Sequence, residues 1–238
     1  MQDCIVTVNK DVLNPKIDWT RYVDAIYCIH YLPYKERKAA CDSELMFMDI
    51  LNSPIFKYYW TYQEKYDDII VDYMHPAYED FHNDRKAITS NLMHAYYRIF
   101  RESQELGYNK VLIVEDDVRF DNRKQYMLDT LDHLPQDWDY VVFDKILTKR
   151  ENHRLESIVR GPYFGSNYTG GFWGTAFSMW SIKAIGIAIN VLESELWPAD
   201  YILANRDDER LLSLNRYVTT HTLLYQDDQL ARYHYVLS

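Results

Sequence analysis

Short apolar runs alternate with longer amphipathic segments along the first two thirds of the chain. β-branched and aromatic residues at 24–30 (DAIYCIH), 110–116 (KVLIVED) and 139–144 (DYVVFD) predict buried strands. Helical periodicity predicts helices over 34–51 and 85–107, with Gly107 as the C-cap of the second. The core stripe of that second helix is expected to contain Ile88, Leu92, Ala95, Ile99 and Leu106. This alternation predicts an α/β fold with a mostly parallel sheet flanked by helices.

The last third of the chain has a different pattern. Five of the seven glycines fall within residues 161–174, which predicts a loop with positive φ angles or close approach to a ligand. An ordinary long hairpin or surface loop is the alternative. The chain then runs into a strand and a helix over 181–196 that Ser181 is expected to cap. Residues 216–228 predict one more strand with a polar end.

Composition narrows the class of protein. A chain of 238 residues with 47% hydrophobic positions fits a single compact domain. The N-terminal residues lack the pattern of a signal peptide, and no stretch of the sequence is apolar for long enough to predict a membrane span. Three cysteines without a CxxC pair predict neither a disulfide framework nor a structural zinc site. A cytoplasmic location is expected. The net charge of −10 argues against a nucleic-acid partner.

Three consecutive acids, Glu115, Asp116 and Asp117, follow the apolar run KVLIV. Strand side chains alternate, so Glu115 and Asp117 are expected to point the same way and to repel each other unless a cation lies nearby. Mg²⁺ and Mn²⁺ prefer one or two protein carboxylates plus ligand phosphates, so the motif predicts a metal–diphosphate site at a strand end. The alternative is a solvated acidic turn neutralised by Arg119 and Arg123.

Six segments in chain order share a pattern with a known family. They are YCIHYLPYKERK (Ile29 and Arg37 match, while His30 and Tyr31 replace Asn and Leu), ITSNLMHAYYRIF (His94 matches, Met93 replaces Ser), LPQDWDYVVFD (Trp138, Asp139), GTAFSMWSIKAI (Gly174, Thr175, Ser181), WPADYIL (Pro198, Asp200) and YVTTHTLLYQ (Gln226). With VLIVEDDV, they resemble the family 25 glycosyltransferases, which include lipooligosaccharide and collagen galactosyltransferases. The resemblance runs from about residue 24 to 230.

The resemblance implies a GT-A fold, with a nucleotide-sugar and metal half at about 20–145 and an acceptor half at about 146–238. It implies a UDP-sugar donor and Mn²⁺ or Mg²⁺. Asp117 would bind the metal directly, Glu115 would act on it through water or by supporting its ligands, and Asp116 would face the ribose or sugar of the nucleotide. His30 and Arg37 would hold the uridine and diphosphate. The donor sugar and acceptor would be framed by the glycine-rich loop, including Gly170, Gly171 and Trp173, although Trp173 could equally belong to the core.

The remaining candidates are a base and a further metal ligand. The resemblance implies inversion at the anomeric carbon, and an inverting enzyme needs a carboxylate that deprotonates the acceptor hydroxyl. Asp200 is the first candidate, with a helix N-cap as its alternative role, and Asp207, Asp208 and Glu209 are in reserve, with a solvated helix face as theirs. His221 in the last strand is a candidate metal ligand or a surface histidine. His94 is expected to form hydrogen bonds near the metal strand without binding the metal.

These observations predict a metal-dependent transferase that moves a hexose, first of all galactose from UDP-galactose, to a glycan such as a lipopolysaccharide or lipooligosaccharide. Membrane contact would at most be peripheral, at the inner face, through a lipid-linked acceptor. Two alternatives stay open. One is a non-catalytic member that binds sugars or nucleotide sugars. The other is a carboxylate–metal phosphoesterase or nuclease, which the acidic net charge disfavours.

Overall fold

A computed structural model describes residues 15–31, 35–61, 83–120, 124–143, 159–160, 164–166, 175–194, 210, 213–219 and 223–226. The helices are α1 (Lys35–Phe47), α2 (Asn83–Glu105), α3 (Lys124–Asp132) and α4 (Ile182–Ser194). The strands are β1 (Ala25–Tyr31), β2 (Phe56–Thr61), β3 (Lys110–Glu115), β4 (Val118–Phe120), β5 (Tyr140–Val142), β6 (Val159–Arg160), β7 (Phe164–Ser166), β8 (Phe177–Ser181), β9 (Arg216–Thr219) and β10 (Leu224–Gln226).

Eight of these strands form one sheet in the order β2-β1-β3-β8-β5-β9-β7-β6. Their pairings leave six strands running in one direction, and only β7 and β8 run against them. The predicted α/β class with a mostly parallel sheet is therefore confirmed. β8 comes from the second half of the chain but lies between β3 and β5, so both halves build one sheet.

The sheet is covered on both faces, which explains why β3 is a continuous apolar run. Val111 and Ile113 belong to the core beneath α2 and α4. Leu112 and Val114 belong to the core beneath α1 and α3. β3 thus lies in the middle of a three-layer α/β/α arrangement, and its carboxyl end emerges between the two helical layers.

Two predicted helix caps are confirmed. Gly107 has φ +71°, and the backbone bonds from Gly107 to Gln104 and from Tyr108 to Ser103 complete a Schellman motif after α2. Ser181 precedes α4, and its hydroxyl accepts a hydrogen bond from the Ala184 amide at 3.2 Å. Both caps are formed by residues close in sequence, so they can be predicted from the amino-acid sequence alone.

Two details of the sequence prediction are wrong. Ala95 and Ile99 are buried as predicted, but Leu106 lies beyond the end of α2 and is exposed, because helical periodicity no longer determines its direction there. The single strand predicted over 216–228 is two strands. β9 belongs to the main sheet, whereas β10 pairs with β4 in a separate two-stranded antiparallel sheet.

The Trp138–Asp139 motif joins distant parts of this fold. The Asp139 carboxylate accepts hydrogen bonds from the Lys183 Nζ at 2.6 Å, the Asn215 amide at 2.8 Å and the Ser181 hydroxyl at 3.3 Å. It therefore ties the start of β5 to the start of α4 and to the residues before β9. In the described part of the chain, no helix is long and apolar enough to cross a membrane.

Candidate functional site

Polar side chains collect at the carboxyl ends of β1 and β3, which are parallel neighbours. His30 lies near the end of β1, Arg37 lies in the first turn of α1, and Asp116 and Asp117 form the turn after β3. The strand-to-helix connection after β1 and the turn after β3 thereby bring residues far apart in sequence to one edge of the sheet. Ligands of open α/β sheets bind at such edges.

Asp116 is the centre of this group. Its carboxylate is 2.6 Å from Nδ1 of His30, whose side chain is 1% exposed, and it also contacts the Arg37 guanidinium. A carboxylate only accepts hydrogen bonds, so His30 donates from Nδ1 and the imidazole is fixed in orientation. The same guanidinium lies 3.4 Å from Oδ2 of Asp117. One arginine thus faces two adjacent carboxylates, and we call these four residues the acidic cluster.

Asp117 is the member of the acidic cluster whose charge is least compensated. Burial raises its pKa from 3.8 to about 6; Arg37 lowers the pKa and the charge of Asp116 raises it further. Its Oδ1 atom is buried and has no hydrogen-bond partner among the described residues. A buried carboxylate oxygen without a donor is costly to the fold and is a position where a cation can bind.

Glu115 is held on the other side of the sheet edge. The Thr175 hydroxyl donates to its Oε1 at 2.6 Å, and the Tyr96 hydroxyl lies 3.0 Å from the same oxygen. Burial and then the charge of Glu115 raise the pKa of Tyr96, which keeps this phenol protonated and able to donate. Glu115 is therefore fixed by α2 and by the residue that leads into β8.

The expected common direction of Glu115 and Asp117 does not hold. β3 ends at Glu115, so the alternation of side chains along a strand does not extend to Asp117. The two residues contact different helices. Asp117, like Asp116, contacts Arg37 of α1, whereas Glu115 contacts Tyr96 of α2. The alternative of a solvated acidic turn is also wrong, because Asp116 and Asp117 are 4% and 8% exposed. Arg37, not a neighbouring arginine in sequence, provides the principal compensating charge.

An aromatic pair lies beside the cluster. Trp60 contacts the His30 ring edge to face at 5.3 Å and stacks on Tyr58 at 4.9 Å. The Tyr58 hydroxyl contacts Asp42, and Lys38 pairs with the same carboxylate at 2.6 Å. Trp60 is partly exposed, so α1 and β2 together support an accessible aromatic surface next to His30.

Sequence reasoning missed several residues that build this region. Tyr96 and Thr175, which hold Glu115, and Trp60, which contacts His30, were given no role, because none of their partners is close in sequence. His94 was expected to pack near the metal strand. It is exposed instead and lines a cavity on the α2 side.

The other predicted site residues lie outside the described residues and stay predictions: Asp200, Asp208, Glu209, Gly170, Gly171, Trp173 and His221. The glycine-rich segment is described only in part. β6 and β7 pair there as an antiparallel hairpin at the edge of the sheet, so some of that segment is the hairpin given above as the alternative.

The described part of the chain contains no group of three His, Cys, Asp or Glu side chains arranged to hold a metal ion. The acidic cluster nevertheless fits a hard divalent ion of the kind that keeps several water or phosphate ligands and takes one protein carboxylate. Oδ1 of Asp117 is the available donor, and Arg37 is placed to meet phosphate charge beside it. Glu115 is already held by two hydroxyls.

No protein-family model matches the chain, and no curated protein sequence is similar to it. Among solved structures, it is similar to the crystal structure of a glycosyltransferase involved in the glycosylation of the major capsid of PBCV-1. The sequence identity is 10%, the match covers 85% of this chain and 92% of that chain, and the TM-score is 0.44. Membership of glycosyltransferase family 25 stays a prediction.

Proposed function

We propose that the protein is a metal-dependent glycosyltransferase that uses a nucleoside diphosphate sugar. The observation that carries this proposal is the Asp117 carboxylate. It is buried at the carboxyl ends of parallel strands, has one oxygen without a hydrogen-bond partner among the described residues, and lies beside a buried arginine. A carboxylate beside a guanidinium matches a divalent cation bound to a diphosphate. The carboxylate binds the cation, and the guanidinium binds the negatively charged diphosphate.

Each residue of the acidic cluster has a task in this proposal. Asp117 holds a Mn²⁺ or Mg²⁺ ion, which, when bound, neutralises diphosphate charge and so makes the diphosphate a better leaving group. Arg37 donates hydrogen bonds to the departing phosphate oxygens. Asp116 keeps Arg37 and His30 in position and faces the nucleotide. Glu115 is held in place by Thr175 and Tyr96 and lies next to the metal-binding residue without binding the metal itself.

The finer assignment follows the family resemblance. UDP-galactose is the first donor to test, a lipopolysaccharide or lipooligosaccharide glycan is the first acceptor, and inversion is the expected stereochemistry. Asp200 is proposed as the base that deprotonates the acceptor hydroxyl, with Asp208 and Glu209 in reserve. His221 is proposed as a further metal ligand, and Gly170, Gly171 and Trp173 are proposed to frame the donor sugar.

Thermal unfolding in the presence of UDP, with and without Mn²⁺, tests the core of the proposal. UDP at about 100 times its dissociation constant stabilises the native state by about 2.7 kcal/mol, which for a chain of this size raises the Tm by about 5–10 °C. We expect this rise only with the metal and only when Asp117 is intact. The conservative variant Asp117→Asn should lose the metal-dependent part of the shift. No effect of UDP on the wild-type protein would contradict the proposal.

A panel of UDP-sugars then separates catalysis from binding. Hydrolysis or transfer of one UDP-sugar supports the transferase. Stabilisation by UDP without turnover of any donor, even with glycan acceptors present, would assign the protein to the non-catalytic alternative. Asp200→Ala should keep the UDP-dependent shift and lose transfer, whereas full activity in Asp200→Ala would move the role of base to Asp208 or Glu209.

A further inference from the structure

A cavity lies on the α2 face of the sheet, whereas the acidic cluster lies on the α1 face. It has a volume of about 100 Å³ and is formed by the carboxyl end of β2, residues 59–61, and by one face of α2. The helix contributes Asn91, His94 and Arg98 to the lining. These positions are spaced by three and four residues, so their side chains lie along one face of the helix.

Three polar side chains on the helix side of this cavity can donate hydrogen bonds. Arg98 brings a fixed positive charge, His94 brings an imidazole, and both side chains are exposed. The Asn91 amide nitrogen is buried and has no hydrogen-bond partner among the described residues. No acidic side chain of the described residues lines the cavity, although the chain as a whole has a net charge of −10. The cavity is therefore complementary to an anion.

The opposite wall carries an aromatic side chain. Tyr59 is partly buried against the core on the α2 side of the sheet, whereas the Trp60 ring packs against Tyr58 and His30 on the other face. Aromatic faces with a polar rim pack well against the C–H groups of sugar rings, whereas a small inorganic anion gains nothing from them. An aromatic wall facing a row of N–H donors fits a ligand that carries an oxyanion on a carbohydrate ring.

We propose that this cavity binds the oxyanion, a carboxylate or a phosphate, of an acidic carbohydrate. Arg98 and the Asn91 amide donate to the oxyanion, and the sugar ring packs against the aromatic wall. That the ligand is a carbohydrate rests on the proposed glycosyltransferase function. The cavity lies at the carboxyl end of β2, which pairs with β1 at His30 and Trp60, so it is one strand away from the acidic cluster and on the other face of the sheet.

Calorimetric titration of the full chain at constant ionic strength tests the proposal. The probes are glucuronate, glucose 6-phosphate, neutral glucose and inorganic phosphate. We expect saturable binding of glucuronate or of glucose 6-phosphate, which identifies the oxyanion as carboxylate or phosphate, and at least tenfold weaker binding of glucose. If glucose binds as tightly as either acidic sugar, or if neither acidic sugar binds, the proposal is wrong. Equal affinity for inorganic phosphate and glucose 6-phosphate would contradict the carbohydrate assignment.

Two arginine variants give a matched comparison. Arg98→Gln should weaken binding of the acidic sugar by about tenfold or more, because a hydrogen bond to a charged group is lost. Arg101→Gln removes the same charge from the same helix, but Arg101 faces Glu193 at 3.4 Å outside the cavity, and its effect should stay within about twofold. Equal losses in both variants would indicate general attraction of anions and would contradict a defined site.

The UDP experiment and the sugar titration read different sites. UDP with Mn²⁺ reports on the acidic cluster around Asp117, whereas the acidic sugar reports on the cavity around Arg98. UDP binding without acidic-sugar binding would overturn only the inference about the cavity. If an acidic sugar binds in a manner that depends on Arg98 and UDP does not bind, the inference about the cavity is supported and the proposed glycosyltransferase function is contradicted.

Discussion

Asp117→Asn should make the metal-free protein more stable at neutral pH, although the substitution removes a side chain that we assign to the site. The carboxylate is buried, its Oδ1 has no partner among the described residues, and its principal cationic neighbour, Arg37, also pairs with Asp116. Asparagine has the same shape and no charge. Arg37 keeps Asp116 as its partner in the variant, so no buried cation is left alone.

The magnitude follows from the pKa of Asp117. Its rise from 3.8 to about 6 means that the folded protein binds the proton about two pKa units more tightly than the unfolded chain. Stability from this group is fully present below about pH 4 and is lost as the pH rises through 6. At pH 7.5 the charged form therefore costs about 3 kcal/mol, and Asp117→Asn should recover a large part of it.

Urea unfolding in EDTA at pH 7.5 and pH 4 measures this difference. We expect Asp117→Asn to exceed wild type by up to about 3 kcal/mol at pH 7.5 and by less than about 1 kcal/mol at pH 4. The adjacent variant Asp116→Asn is the control with the opposite sign, because it removes the shared partner of buried His30 and Arg37 and should destabilise. A difference for Asp117→Asn that does not change with pH, or a loss of stability at pH 7.5, would refute the reasoning.

Three further predictions concern the frame of the site, each checked by the free energy of unfolding in urea. Asp49→Ala should cost about 3 kcal/mol, because buried Lys124 loses its partner at 2.6 Å. Lys38→Gln breaks the more exposed pair with Asp42 and leaves the contact of Asp42 with Tyr58 in place, and a similar cost for Lys38→Gln would contradict the burial argument. Thr175→Val should cost about 1–2 kcal/mol through the lost donor to Glu115, whereas Thr175→Ser should stay close to wild type. Gly107→Ala should cost about 1 kcal/mol, because alanine is strained at φ +71°. Gly186→Ala inside α4 should stabilise by a similar amount, because the added Cβ contacts only the end of the Gln104 side chain, at 3.6 Å. Effects of the same sign for the two substitutions would contradict the backbone explanation.

The location of the acidic residues could be predicted without a structure. An apolar run of strand length ending in three acids places charge at the end of a buried strand, because side-chain burial and strand length are local properties. The caps at Gly107 and Ser181 were predictable for the same reason: each satisfies backbone groups within a few residues. The alternation of strands and helices likewise predicted the α/β class.

The contacts within the site could not be predicted in the same way. His30 and Asp116 are 86 residues apart, and Glu115 and Thr175 are 60 apart. Their meeting depends on the parallel pairing of β1 with β3 and on the insertion of β8 beside β3. The prediction for Glu115 and Asp117 was wrong because alternation ends where the strand ends, and only the structure shows where that is.

The sequence alone predicts β1, β3, β5, α1 and α2 and the negative charge at the end of β3. Those properties follow from local backbone preferences and from the period of apolar positions. The contacts within the site follow from the packing of the elements. α1 brings Arg37 to the two aspartates, α2 and the start of β8 bring two hydroxyls to Glu115, and β2 and α2 together form the cavity lined by Arg98. These are contacts between elements distant in sequence, which sheet order and helix packing determine and local periodicity does not encode.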